Sequence, residues 1–201
     1  DTRNVTTMYS AYQNCRNLTG SPVCGVNVDN MDEAYANCTK LTGPAICGPN
    51  ATSMTNTYHN CTNLTGKPVC GDKVKSFGGA YDGCTKLTGP AICGPNVTSM
   101  RNTYANCPNL SSRAYFYSNN ITNAHKCFYG RNTSNRLNLY VPANSTTLNT
   151  CLSDMSSKSL TGTSIIWTNA VAAIGCHYNA TQNIYIYPVS NVKQVYNSKE
   201  K

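Results

Sequence analysis

The stretch Val28–Leu41, VDNMDEAYANCTKL, recurs along the first half of the chain and decides how that half is read. Tyr12, Tyr35, Tyr58, Tyr81 and Tyr104 fall in one column with a step of 23 residues. Cys15, Cys38, Cys61, Cys84 and Cys107 keep that step, as do Leu18, Leu41, Leu64, Leu87 and Leu110. A second cysteine column runs through Cys24, Cys47, Cys70 and Cys93. Met8, Met31, Met54, Phe77 and Met100 form another. Self-similarity at such a period marks a solenoid: one repeat cannot bury its apolar side alone, but stacked neighbours make a continuous core.

Within one coil, Met8, Ala11, Tyr12, Cys15 and Leu18 are spaced 3, 1, 3 and 3. That spacing predicts one face of a short helix, of α or 3₁₀ type. Leu18 to Cys24 (LTGSPVC) and its counterparts at 41–47, 64–70 and 87–93 read as short strands. Parallel strands of successive coils would lie about 4.8 Å apart. Gly25, Gly48, Gly71 and Gly94 then mark a turn, and Val5, Val28, Ala51, Val74 and Val97 bring the chain back inward. The expected fold is therefore an α/β solenoid with one short parallel strand and one short helix or 3₁₀ turn per coil.

The run Asp1 to Leu18, DTRNVTTMYSAYQNCRNL, resembles the repeats of BspA-like leucine-rich-repeat surface proteins. Asn4-Val5-Thr6, Met8, Tyr12, Asn14-Cys15 and Leu18 carry the likeness, which extends to about Leu110. The chain has Tyr where that family usually has Phe, and it adds the second cysteine column. The resemblance implies a leucine-rich-repeat-like solenoid on a bacterial surface or encoded by a phage. It implies no enzymatic activity.

The period breaks after Leu110. Three β-branched or aromatic segments follow, at 137–141, 164–168 and 184–187, each ending at Pro142, Asn169 or Pro188. Residues 1–110 are thus read as the regular repeats, and 111–201 as irregular coils with a β-rich C-terminal cap, since terminal repeats are atypical. The sequence opens in mid-repeat, which predicts an open first coil abutting a neighbouring domain or subunit.

Twelve cysteines in 201 weakly charged residues favour an oxidising compartment. Candidate bridges between adjacent coils are Cys15–Cys38, Cys61–Cys84, Cys24–Cys47 and Cys70–Cys93. The competing scheme closes each coil on itself: Cys15–Cys24, Cys38–Cys47, Cys61–Cys70 and Cys84–Cys93. Cys107 with Cys127 and Cys151 with Cys176 are further candidates, and free core thiols are the third reading. The segment Cys38 to Asn50 is repeated identically at Cys84 to Asn96, as alternate bridging or a two-coil duplication would produce.

The surface is rich in Asn, Thr, Ser and Tyr, with 12% charged residues and a net charge of +8. Lys and Arg are scattered, some of them just after the first cysteine column (Arg16, Lys40, Lys86), and no nucleic-acid motif accompanies them. No apolar run approaches the ~18 residues of a membrane span. Twelve Asn-x-Ser/Thr triplets arise largely from the repeat itself. The eight acidic residues include no convincing catalytic pair, because Asp32 and Glu33 are adjacent and would point apart on a helix. Neither the Cys-x₈-Cys spacing nor the three histidines, His59, His125 and His177, form a zinc pattern. Cys176-His177 are strand neighbours facing opposite ways. No metal, cofactor or catalytic residue is expected.

The expected function is non-enzymatic and extracellular: an adhesion or attachment module on a bacterial surface or a phage virion, binding a host-cell receptor or glycan. The alternative is a structural spacer, decoration or assembly protein. The candidate binding positions are the outward strand rows, Thr19, Thr42, Thr65 and Thr88 in one, with Ser21 and Lys67 in the other.

Overall fold

The computed structural model describes residues 3–118, 120–130 and 137–140, and the backbone of three short strands at 164–167, 184–187 and 196–197. Each repeat lies against the next. Parallel bridges link Thr7 to Asn30, Asn30 to Ser53, Ser53 to Ser76, Ser76 to Ser99, and Ser99 to Asn123. The last step is one residue longer, and the same extra residue separates Tyr104 from its stacking partner Phe128.

The Met-to-Leu segment differs from the expected helix. Among the described residues no helix forms there; the segment is a chain of turns. Alternate amides close local turns, from Ala11 to Met8, Gln13 to Ser10 and Cys15 to Tyr12. The amides between them leave the coil: Ser10 donates to Asp32, Tyr12 to Ala34 and Asn14 to Ala36. The pattern repeats in the next coils, where Tyr35 donates to Thr57, Tyr58 to Ala80 and Tyr81 to Thr103. A helix would spend all these amides inside itself. Here half of them join coil to coil, because positions four apart adopt positive φ: Ser10 and Asn14, Glu33 and Asn37, Asn56 and Asn60. Asn tolerates that region better than most residues. It also stacks: Asn37 donates its side-chain amide to Asn14 at 3.0 Å, and Asn60 donates to Asn37 at 3.1 Å.

The segment after Leu also differs from expectation. Residues 41–47 and 64–70 hold only one isolated bridge, Pro44 to Thr65. Two features break the strand: Gly20, Gly43, Gly66 and Gly89 all have φ between 82° and 85°, and Pro22, Pro44, Pro68 and Pro90 lack an amide hydrogen. A regular ladder starts where one partner is free of proline. Strand β1 (Ala91–Cys93) pairs in parallel with β2 (Arg113–Phe116), and β2 with β3 (Leu137–Tyr140). Strands β4 (Ser164–Trp167) and β5 (Ile184–Tyr187) continue the parallel sheet, and β6 (Tyr196–Asn197) closes it antiparallel. The sheet thus keeps parallel order across β1–β5 although the repeat length is no longer constant.

The core is built from the columns. Met31, Met54, Phe77 and Met100, with Leu41, Leu64 and Leu87, are fully buried. The tyrosine rings form one stack from Tyr12 through Tyr35, Tyr58, Tyr81 and Tyr104 to Phe128, with centroids 5.2–5.9 Å apart and planes within 13°. Each such pair adds about 0.5–1.5 kcal/mol beyond the burial of its area.

The phenol oxygens do a second job. Tyr58 donates its hydroxyl to the carbonyl of Ile46 at 2.8 Å and accepts from the amide of Ile46 at 3.1 Å. Tyr35 does the same with Val23, Tyr81 with Val69, and Tyr104 with Ile92. Each partner lies 12 residues upstream, about half a coil. The tyrosine is therefore a crossbar that supplies the missing strand partner from within the core. That accounts for Tyr in this column.

Candidate functional site

The two cysteine columns occupy separate places, and none of the ten described cysteines is in a disulfide. In the first column the thiol of Cys38 donates to the carbonyl of Tyr12, that of Cys61 to Tyr35 and that of Cys84 to Tyr58, each at 3.0 Å; Cys107 reaches Tyr81 at 2.9 Å. In the second column Cys24, Cys47, Cys70 and Cys93 face the carbonyl of the glycine that follows each. A disulfide between coils would have to break these thiol contacts. Burial pushes the Cys38 and Cys47 thiols up to about 11, and those of Cys61, Cys70 and Cys107 up to about 12. They are therefore protonated at neutral pH, which removes the thiolate that nucleophilic or metal chemistry requires. Cys127 sits outside the first column, taking the place of Ala34, Thr57, Ala80 and Thr103: its carbonyl accepts from Tyr104 as theirs do from the tyrosine one coil earlier. Cys151, Cys176 and His177 lie outside the described residues.

The glycines after the second column are needed for space. A Cβ on Gly48 or Gly71 would stand 2.8 Å from the sulfur of Cys24 or Cys47 respectively. Gly71→Ala is expected to lower stability by about 1–3 kcal/mol through overpacking. Adding Cys47→Ala to that variant should recover part of the loss. Urea unfolding of the two variants checks this; a Gly71→Ala protein as stable as its parent contradicts the packing described.

The expected binding rows are on the surface. Thr19, Thr42, Thr65 and Thr88 are exposed, and so are Ser21 and Lys67. The backbone ties Thr42 to Gly20, Thr65 to Gly43 and Thr88 to Gly66, which sets the row in register. Lys40 and Lys86 are also ordered, donating to the side-chain oxygens of Asn17 and Asn63 one coil earlier. Among the described residues no group of three His, Cys, Asp or Glu side chains is placed to hold a metal ion. No helix among them is long and apolar enough to cross a membrane.

One surface feature lies away from those rows. A notch of about 320 Å³ opens beside Gly78 and Gly79. Its walls come from the coil before (Thr55, Asn56), from Ser76 and from the coil after (Ser99, Arg101, Asn102). The cause is visible in two sequence columns. One reads Tyr9, Asp32, Thr55, Gly78, Arg101; the other reads Ser10, Glu33, Asn56, Gly79, Asn102. The fourth coil alone lacks both side chains. The double glycine was the signal available in the sequence, but it shows only when the columns beside the core are aligned as carefully as those within it.

No protein-family model, curated protein or solved structure matches the chain.

Proposed function

We propose that the chain is a non-enzymatic solenoid acting as an attachment module outside the cell, on a bacterial surface or a phage virion, in the manner of the BspA-like leucine-rich-repeat proteins it resembles. The observation that carries this reading is the exposed threonine row. Thr19, Thr42, Thr65 and Thr88 repeat one hydrogen-bonding group at a fixed step, on a frame whose methionine, tyrosine and leucine columns pack in the core. A rigid row of identical groups suits a polymeric or clustered ligand, because contacts made together gain by effective concentration.

Surface display of purified chain against bacterial cells and immobilised glycans tests this. The native chain is expected to bind. The combined variant Thr42→Arg, Thr65→Arg, Thr88→Arg is expected to bind at least about tenfold more weakly, with stability changed by only about 0.5 kcal/mol per site. A chain that binds neither cells nor glycans would favour a spacer or assembly role.

A further inference from the structure

We propose that the notch at Gly78–Gly79 is a binding site for an acidic sugar residue, such as a uronate; this rests on the attachment reading and names the ligand chemistry for one place on that surface. Two coils earlier, the side chains at the same positions are satisfied by their neighbours. Glu33 accepts from Ser10 and Gln13. Asp32 accepts from the hydroxyl of Ser53 and from the amide of Thr55 at 2.7 Å. Both acids are spent on neighbours, and the surface is closed.

At the fourth coil that arrangement is undone. Glycines remove the two side chains that would bridge the coils. Among the described residues, the side chains of Asn56, Ser76, Ser99 and Arg101 then make no hydrogen bond, although all four line the notch. Asn102, also in the wall, keeps its side-chain oxygen buried and unpartnered. Besides Thr55, whose hydroxyl meets Ser53, the lining offers the hydroxyls of Ser76 and Ser99, two amides and one guanidinium within about 320 Å³, the size at which small-molecule sites begin.

The charge selects the ligand. The acids of the second coil have no counterpart here, and Arg101 is exposed at the rim. A guanidinium holds a carboxylate in a two-pronged bond, while serine hydroxyls and asparagine amides exchange hydrogen bonds with vicinal hydroxyls. A sugar acid carries both groups on one ring. Glycine keeps the floor flat: a Cβ at Gly79 would collide with the side-chain oxygen of Asn56.

The test is a titration of the full chain followed by backbone amide shifts, with glucuronate as probe and glucose and acetate as controls. Glucuronate should move the amides of Gly78, Gly79 and Asn102. Arg101→Gln should weaken glucuronate at least about tenfold, the loss of a charge-assisted bond, and leave glucose unchanged. Gly79→Asn should abolish binding by filling the notch. That variant can fold, because Asn56 and Asn102 hold the same column at φ 52° and 56°, close to the 64° of Gly79, and the atom its Cβ would meet is the far end of the Asn56 side chain, which can rotate away. Glucuronate that moves no amide near the notch, or that binds the Gly79→Asn protein undiminished, overturns the proposal. So does acetate giving the same shifts at the same concentration, which would make the site a carboxylate pocket for an acidic peptide. Gly79→Asn protein that still attaches to cells like the parent would remove the notch while leaving the attachment reading standing.

Discussion

The chain is expected to lose its cooperative fold in mildly alkaline solution, between about pH 9 and pH 11, well before the peptide chain itself is harmed. The cause is the columns of buried acids. Burial raises the thiols of Cys38 and Cys47 to about 11, and those of Cys61, Cys70 and Cys107 to about 12. It raises the phenol of Tyr35 to about 12, and shifts Cys84, Tyr58, Tyr81 and Tyr104 upward as well. The unfolded chain would release these protons near the ordinary values of 9.0 and 10.0. In the window between, the unfolded state binds fewer protons than the folded one, so stability falls as pH rises. Each group ionised only in the unfolded state contributes about 1.4 kcal/mol per pH unit. Below the ordinary thiol value the contribution is present in full. With ten such groups the fall is steep. Urea midpoints measured from pH 7 upward should hold steady to about pH 8.5 and then drop together. A midpoint unchanged at about pH 11 would contradict the burial of these columns.

Removing one oxygen atom should have the next largest effect. Tyr58→Phe keeps the ring, and with it the stack on Tyr35 at 5.6 Å and on Tyr81 at 5.5 Å. It deletes only the hydroxyl that serves both the amide and the carbonyl of Ile46. Leaving a donor and an acceptor unmet costs about 1–3 kcal/mol each, so a loss of about 2–6 kcal/mol is expected. That is a large share of the roughly 5–15 kcal/mol that holds a domain together. Tyr9→Phe is the control, because Tyr9 is 60% exposed; it should change stability by less than about 0.5 kcal/mol. The chain itself carries one natural comparison. Phe128 ends the tyrosine column, and the residue 12 before it is Phe116, in β2, whose strand already pairs with both β1 and β3. Where the strand is paired on both sides the crossbar is absent, whereas β1, paired on one side only, still receives it from Tyr104. Equal stability of the two Tyr→Phe proteins would mean that the phenol bonds add nothing.

Much of this was legible in the columns. The tyrosine, cysteine, methionine and leucine positions named the buried side of the coil, since the period forces equivalent residues into equivalent environments. The 3-1-3-3 spacing also identified the segment's inward face, as the buried Met31, Ala34, Tyr35, Cys38 and Leu41 of the second coil show. It did not reveal the backbone path, because a turn chain with left-handed Ser10 and Asn14 places the same side chains inward as a helix would. The asparagine at that position, recurring at Asn37, Asn60 and Asn106, was the local sign of positive φ. The segments after Leu misled for a different reason: their glycine and proline content was plain, but its effect depended on a phenol arriving from half a coil away. The exposed threonine row followed from the period. The notch did not, because it is made by what two glycines omit.

Successive repeats are joined directly, amide to carbonyl, at steps of 22 to 24 residues. Couplings transmitted through hydrogen bonds in isotope-labelled protein test it most directly, because each one names its donor and acceptor. The structure requires couplings from the Tyr35 nitrogen to the Thr57 carbonyl, from Tyr58 to Ala80 and from Tyr81 to Thr103. Observing that set would establish the coil-to-coil frame on which the crossbars, the threonine row and the notch all depend. A coupling from the Tyr58 nitrogen to the carbonyl of Met54, as in a helix, with none to Ala80, would contradict the account.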